Sequence, residues 1–274
     1  MQRPRHAPTP HARTRHATET WAAASGMHAR VVGAVIMRDL QTRFGTGYFG
    51  FLLGLIMPLG HLTVAMGITL LLGRPAPVGS DTAIFLTTGL LPFIVWLYGH
   101  RQIMLTIVQN RPLLYFPGVD VFDLFAARIV IEIVTATLVV GIVLGSLSMI
   151  GHDVQIADWP GFTYALMQAW LLGVATGLIF GTTSTFAPIA LLIGNLLGPL
   201  LWGISGIFFL ADSLPERISN VLYYNPLSQI IDGLRISYYA EYYSSFYSEK
   251  SISIQILVLL TAGMVLIPVT RKVS

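Results

Sequence analysis

Cysteine is absent from the chain, which excludes disulfide staples, thiol catalysis and thiolate metal sites. Charge is scarce as well: 11% of the 274 residues are charged, less than half the roughly 25% of an ordinary soluble domain. So few charges cannot cover the water-facing surface of a chain this long. A hydrophobic share of 54% and a mean hydropathy of +0.69 make lipid the natural solvent instead. Length by itself would allow one or two soluble domains. No G-x-x-x-x-G-K-[ST] loop occurs, and neither Lys250 nor Lys272 lies in a glycine-rich turn, so the usual backbone cradle for ATP phosphates is missing. No H-E-x-x-H occurs either, and most of the seven histidines lie near the N-terminus. Energy for any transport must come from elsewhere, or the transport is passive.

What is present is a series of long apolar runs. A hydrocarbon core of ~30 Å takes ~20 mainly apolar residues per helix. Six spans are expected, at about residues 51–72, 83–99, 129–150, 161–182, 188–211 and 252–269. The uncharged stretch Trp159–Ala211 is too long for one span and suits two joined at Gly181–Pro188, where Gly and Pro break helices. The chain is therefore expected to be an all-α polytopic membrane protein.

Its net charge of +3 is read as an orientation signal rather than as a nucleic-acid footprint. With the N-terminus in the cytoplasm, 12 of the 16 Lys and Arg fall in cytoplasmic segments and 4 in external ones. An even number of spans then puts both ends inside. Residues 1–27, rich in Arg, His, Ala, Thr and Pro, lack the apolar run of a secretory signal and read as a disordered cytoplasmic tail rather than a transit peptide.

Around Val32–Phe44, apolar Val32, Ile36, Leu40 and Phe44 recur at helical spacing, while Arg38, Gln41 and Thr42 face away and Asp39 pairs with Arg43 at i,i+4. This amphipathic helix should lie in the cytoplasmic interface; a plain anchor is the simpler reading. In the external segment 212–251, Asn225-Pro226 reads as a helix start. Leu227, Ile230, Ile231, Leu234 and Tyr238 form one face of that helix, and Ser228, Asp232, Arg235 and Tyr239 another. It lies in the outer interface or dips back between helices.

The order of these features resembles the membrane subunits of ABC transporters that export bacterial capsular polysaccharides, over roughly Met27 to Arg271. The resemblance is carried by Arg38-Asp39-Leu40-Gln41-Thr42-Arg43-Phe44-Gly45, by Pro58 and His61, and by Gly89-Leu90-Leu91-Pro92-Phe93. Asn110 to Glu132, Tyr224-Asn225-Pro226-Leu227 and Asp232-Gly233-Leu234-Arg235 complete it. Met57 stands where the family usually has an acid, and the turn after the fourth span is neutral here where the family's is charged.

The resemblance implies a 28–274 transmembrane domain in the bacterial inner membrane, paired with a second copy of itself. Two separate ATPase subunits would hold the ATP and Mg, leaving this chain without a cofactor. Lipid-linked acidic polysaccharide would be the cargo, with a periplasmic component beyond. A coupling helix over Val108–Val119, with Asn110, Arg111, Leu114, Phe116 and Val119, would dock on the ATPase. Arg38, Leu40, Arg43 and Phe44 would belong to the interface helix.

For the path, several residues carry two readings. Arg128 and Glu132 share one face of the third span, where a charge costs roughly 2.5–3.5 kcal/mol on insertion scales; they read as gate residues or as a self-satisfied i,i+4 pair. His61 reads first as a packing histidine. Trp96, Tyr98, Trp170 and Trp202 suit a sugar path because flat rings stack on sugar faces, whereas placement near a span end favours an interfacial anchor for Trp96 and Tyr98. Tyr224, Asn225, Arg235 and Tyr239 are candidates for the exit. Gly194, Gly198, Gly203 and Gly206 in the fifth span suggest close helix packing. O-antigen or teichoic-acid export, small-molecule efflux and a polytopic membrane enzyme are the competing functions.

Overall fold

The computed structural model describes residues 26–39, 48–73 and 75–270, with side chains in the second stretch from Leu55 onward. The tail 1–25 and Leu40, Arg43 and Phe44 lie outside the described residues. The described residues are mainly helical, with short 3-10 turns and no β-strand among them. Helix α1 covers residues 26–39. It is followed by α2 (Tyr48–Leu71), α3 (Thr82–Met104), α4 (Thr106–Asn110), a 3-10 turn at Arg111–Tyr115, α5 (Val121–Met149), α6 (Trp159–Thr183) and α7 (Ile189–Ile204). After a second 3-10 turn (Ala211–Ser213) come α8 (Glu216–Leu222), α9 (Pro226–Tyr238) and α10 (Glu249–Thr270).

Four helices, α3, α5, α6 and α10, are long and apolar enough to cross a membrane. Leu55–Leu71 of α2 and α7 are shorter apolar stretches. The expected boundaries move for local reasons. The helix expected from 129 starts at Val121, because Asp120 accepts from the Phe122 N–H while Asp123 accepts from the Asp120 N–H, a reciprocal capping box. Arg128 thus lies inside α5. The helix expected to run to 211 stops at Ile204, and the chain turns at Gly206 with φ of +77°, a left-handed conformation that suits glycine. Residues 108–119 do not form one coupling helix. Pro112 lacks an N–H donor and the chain tightens into the 3-10 turn there.

Helix α3 is central, with every residue from Ala83 to Leu97 buried. Helix α6 packs on it along Gly173, Gly177 and Gly181, one glycine per turn. A Cβ at these positions would lie 2.9 Å from the Trp96 carbonyl, 2.9 Å from that of His100 and 2.8 Å from that of Met104. Backbone therefore rests on backbone, as small residues allow between membrane helices. Of the glycines expected to pack closely, Gly194 meets Met104 and Phe180, Gly198 meets Leu97, and Gly203 has nothing within 4 Å.

Helix α9 starts where Asn225-Pro226 predicts, the Asn225 carboxamide oxygen accepting from the Leu227 N–H. Its apolar face is buried, but so are Ser228, Asp232 and Arg235 on the other face. It packs against α3 and α6 rather than presenting a wet side. The Ala157 and Asp158 N–H groups donate to the Tyr238 and Ser237 carbonyls, tying its end to the start of α6.

The connections sort to two ends. One gathers α1, residues 105–120, the α6–α7 turn and Thr270, the last three around a single cleft. The other gathers the α2–α3 and α5–α6 connections and residues 205–248.

Candidate translocation groove and docking end

Phe93, Leu97 and Arg101 recur every four residues on α3 and so share one face. That face borders a lateral groove of about 650 Å³, completed by His61 of α2 and by Asn195, Gly198, Pro199 and Trp202 of α7. His61 stacks on Trp202 at 4.8 Å between ring centroids, and Phe93 meets Trp202 edge-on at 5.1 Å. Arg101 and Asn195 are exposed, one turn or more toward the α1 end from these rings. The groove thus offers flat aromatic faces, an amide and a cation along one open track. That set suits a sliding polar polymer with acidic groups better than a small ligand needing an enclosed pocket.

The other expected path residues do not join it. Trp96 is 1% exposed and stacks on His100 at 5.5 Å inside the core, so it is no interfacial anchor; α3 runs to Met104 and leaves Trp96 two turns from the helix end. Trp170 packs between α6 and its neighbours, away from the groove. The sequence reading missed His100, whose ring meets the Thr176 hydroxyl and the Gly194 carbonyl. Arg101 was also missed, although its fourfold spacing from Phe93 and Leu97 was available.

At the α1 end, Arg128 and Glu132 are both buried, at 2% and 3% exposure, with 4.0 Å between Nη1 and Oε1. They are not a self-contained pair. Arg128 donates from Nη2 to Gln109 Oε1 at 2.5 Å, from Nη1 to Asp39 Oδ2 at 3.4 Å and from Nε to the Gln102 carbonyl at 3.3 Å. Arg38, expected on the wet face of α1, donates to Asp39 and to the Asn110 carboxamide. The buried face of α1 is centred on Val35 and Asp39, with Val32 and Ile36 at its edges. Arg43 lies outside the described residues, and Asp39 turns to Arg38 and Arg128.

Of the docking candidates, Arg111 and Phe116 are exposed, and so are Val108 and Tyr115. Leu114 and Val119 are half-buried against α1 and α5, and Asn110 is buried. A cleft of about 400 Å³ lies between this segment, the α6–α7 turn and the end of α10.

At the opposite end, Tyr224 is exposed, Asn225 caps α9 and donates to the Ser205 hydroxyl, and Tyr239 packs beside Gly79. Arg235 donates from Nη1 and Nη2 to three carbonyls of the 206–209 segment. Burial is the largest influence on Asp232 and raises its carboxyl pKa, against hydrogen bonds from Ser244 and Tyr242 and the charge of Arg235.

Asp81 caps α3 and meets His152 Nδ1 at 2.5 Å. Burial pushes its carboxyl up, but the His152 contact and the Ala83 and Ile84 N–H groups outweigh it and leave the pKa below the ordinary value of 3.8. A lowered carboxyl pKa means stability that is present above the ordinary value and lost as pH falls through the folded one. Asp81→Asn should therefore lower the thermal midpoint at neutral pH, and the gap to wild type should close as pH drops below about 3.8. A constant gap across pH would refute this.

The bundle of apolar helices of spanning length, beside an open groove, defines the class: a polytopic α-helical membrane protein. No family model matches the chain. It is 27% identical over 244 residues to the capsule polysaccharide export inner-membrane protein CtrC of Neisseria meningitidis serogroup A, covering 87% of this chain and 90% of that one. It is 26% identical over 236 residues to the polysialic acid transport protein KpsM of Escherichia coli, covering 86% and 91%. It is also 24% identical over 252 residues to the capsule polysaccharide export inner-membrane protein BexB of Haemophilus influenzae, covering 90% and 94%. Capsule polysaccharide export inner-membrane proteins and a polysialic acid transport protein are thus homologues of this chain along most of its length.

Proposed function

We propose that the chain is the membrane permease subunit of an ATP-driven exporter of lipid-linked capsular polysaccharide in the bacterial inner membrane. The observation that carries this reading is the similarity, along most of the chain, to two capsule polysaccharide export proteins and a polysialic acid transport protein. In this reading the four long apolar helices and the two shorter ones cross the membrane six times, with both termini cytoplasmic. The distribution of Lys and Arg and the gathering of the expected cytoplasmic segments at one end support that topology.

The functional unit is a dimer, and a second copy closes the lateral groove into a channel. Arg101 and Asn195 receive the acidic polymer near the cytoplasmic side, and the His61, Phe93 and Trp202 rings carry it onward. Two ATPase subunits, which hold the ATP and Mg, dock at the cleft beside Arg111–Phe116, and a periplasmic component takes the polymer away.

Truncating an exposed Arg or aromatic anchor at a docking site costs about 2 kcal/mol, or roughly thirtyfold in affinity. Arg111→Ala and Phe116→Ala are therefore expected to uncouple ATP hydrolysis from export while the permease stays folded. Surface polymer and ATP turnover, measured in the same cells and membranes, check this. Normal export in both variants would remove the docking assignment. Deletion of the gene should leave polymer in the cytoplasm.

A further inference from the structure

We propose that Asp39 and Arg128 are positioning residues of the coupling apparatus, their buried ion pair locking α1, the docking segment and α5 into one rigid unit. The inference deepens the permease reading and rests on it. An anchoring helix would turn its charges to water and its apolar face to lipid. Helix α1 turns Asp39 inward instead, to 5% exposure, against a guanidinium at 2%. Burying two charges is costly unless each is paired and hydrogen-bonded. Here the partners come from four elements: Asp39 from α1, the Gln102 carbonyl from α3, Gln109 from α4 and Arg128 itself from α5. The planar fork of Arg lets one side chain hold all of these at once, which Lys cannot do.

Among the described residues, α1 packs Val31, Val32, Val35 and Ile36 on the start of α5 and the docking segment. Polar pins add to that contact. Arg38 makes a second link to the docking segment at Asn110. At the other end of α1, His28 Nδ1 meets Asp123 Oδ1 of α5 at 2.7 Å. Eleven residues separate His28 from Asp39, about 16 Å of helix. A helix pinned at both ends of such a length cannot slide past α5. Motion that reaches Arg111–Phe116 is thereby passed to α5 and α1 together.

The chain has no cysteine, so paired cysteines can test this directly. In the complex with its ATPase, Asp39→Ala should leave assembly and ATP hydrolysis intact while polymer exported per ATP falls about tenfold or more, since Arg128 keeps Glu132, Gln109 and the Gln102 carbonyl but loses its tie to α1. Asp39→Glu, keeping the charge, should restore at least about half of the export. Val35→Cys with Ala127→Cys, joined by a short reducible cross-linker, should export as well as the unlinked protein, because the two helices move together.

Wild-type export per ATP in Asp39→Ala would overturn the inference. So would cross-linked protein that is inactive until reduced, or cysteines that never cross-link. If Asp39→Ala fails to assemble, the cross-linking arm decides alone. Failure of wild-type chain to bind any ATPase would sink the permease reading, yet cross-linking in isolated membranes would still report the α1–α5 contact.

Discussion

Replacing Arg235 by methionine is expected to strip the folded protein from the membrane. The guanidinium holds the chain where α7 has ended early: Nη1 donates to the Gly206 and Phe209 carbonyls at 2.7 and 2.9 Å, and Nη2 to the Ile207 carbonyl at 2.8 Å. It also lies 4.2 Å over the Phe85 ring and so fastens the same segment to α3. A Cβ on Gly89 would sit 2.7 Å from the Ile207 carbonyl and 3.0 Å from Arg235 Nη2, which shows how little room the arrangement leaves. Each carbonyl orphaned in the interior costs about 1–3 kcal/mol. Three of them together approach the 5–15 kcal/mol of a typical fold's total stability.

Methionine matches the volume but supplies no donor. Lysine keeps the charge without the fork and should be intermediate. Monodisperse yield in detergent and thermal midpoint measure both. Wild-type stability of Arg235→Met would mean that the 206–209 segment is held by something else.

Charge reversal at Arg101 is expected to have the largest effect on transport at unchanged fold. Arg101 is exposed, so Arg101→Glu has little cost in packing. Near a protein surface a charge pair at 4 Å is worth about 4 kcal/mol. Reversal turns attraction for an acidic sugar into repulsion of similar size, and about 1.4 kcal/mol already makes a tenfold change. Surface polymer should fall by at least about tenfold. Trp202→Ala, which removes the ring under His61, should give a smaller loss, and Trp202→Phe should retain most export. Normal export by Arg101→Glu would take the groove out of the path, or show that the cargo is uncharged.

Much of the fold was legible because its causes are local. A run such as Ile252–Val269 is helical and lipid-compatible whatever surrounds it, and Asn225-Pro226 starts α9 through a hydrogen bond made within the same turn. The boundaries that moved are those set by less local groups. The α5 start depends on the Asp120/Asp123 box, which precedes the apolar run, and the α7 end depends on an arginine about thirty residues further on. The Gly173, Gly177 and Gly181 ridge was readable as a four-residue spacing, but only its contact with α3 gives it meaning.

The candidate site was half legible. Arg128 and Glu132 stood out as charges in an apolar run, and His61 and Trp202 as polar and aromatic residues in theirs. Nothing in the local pattern says that His61 lies on Trp202, 141 residues away, or that Arg101 shares their groove. Nor does it say that Trp96, similar in composition and setting, is core.

The sequence by itself determined that this chain is an all-helical membrane protein, because hydropathy acts on each segment separately. Only the tertiary structure decided which charges meet. Asp39 finds Arg128 across 89 residues, and Arg235 finds the 206–209 carbonyls. In a low-dielectric interior a charge must take whichever partner the packing of helices brings within reach.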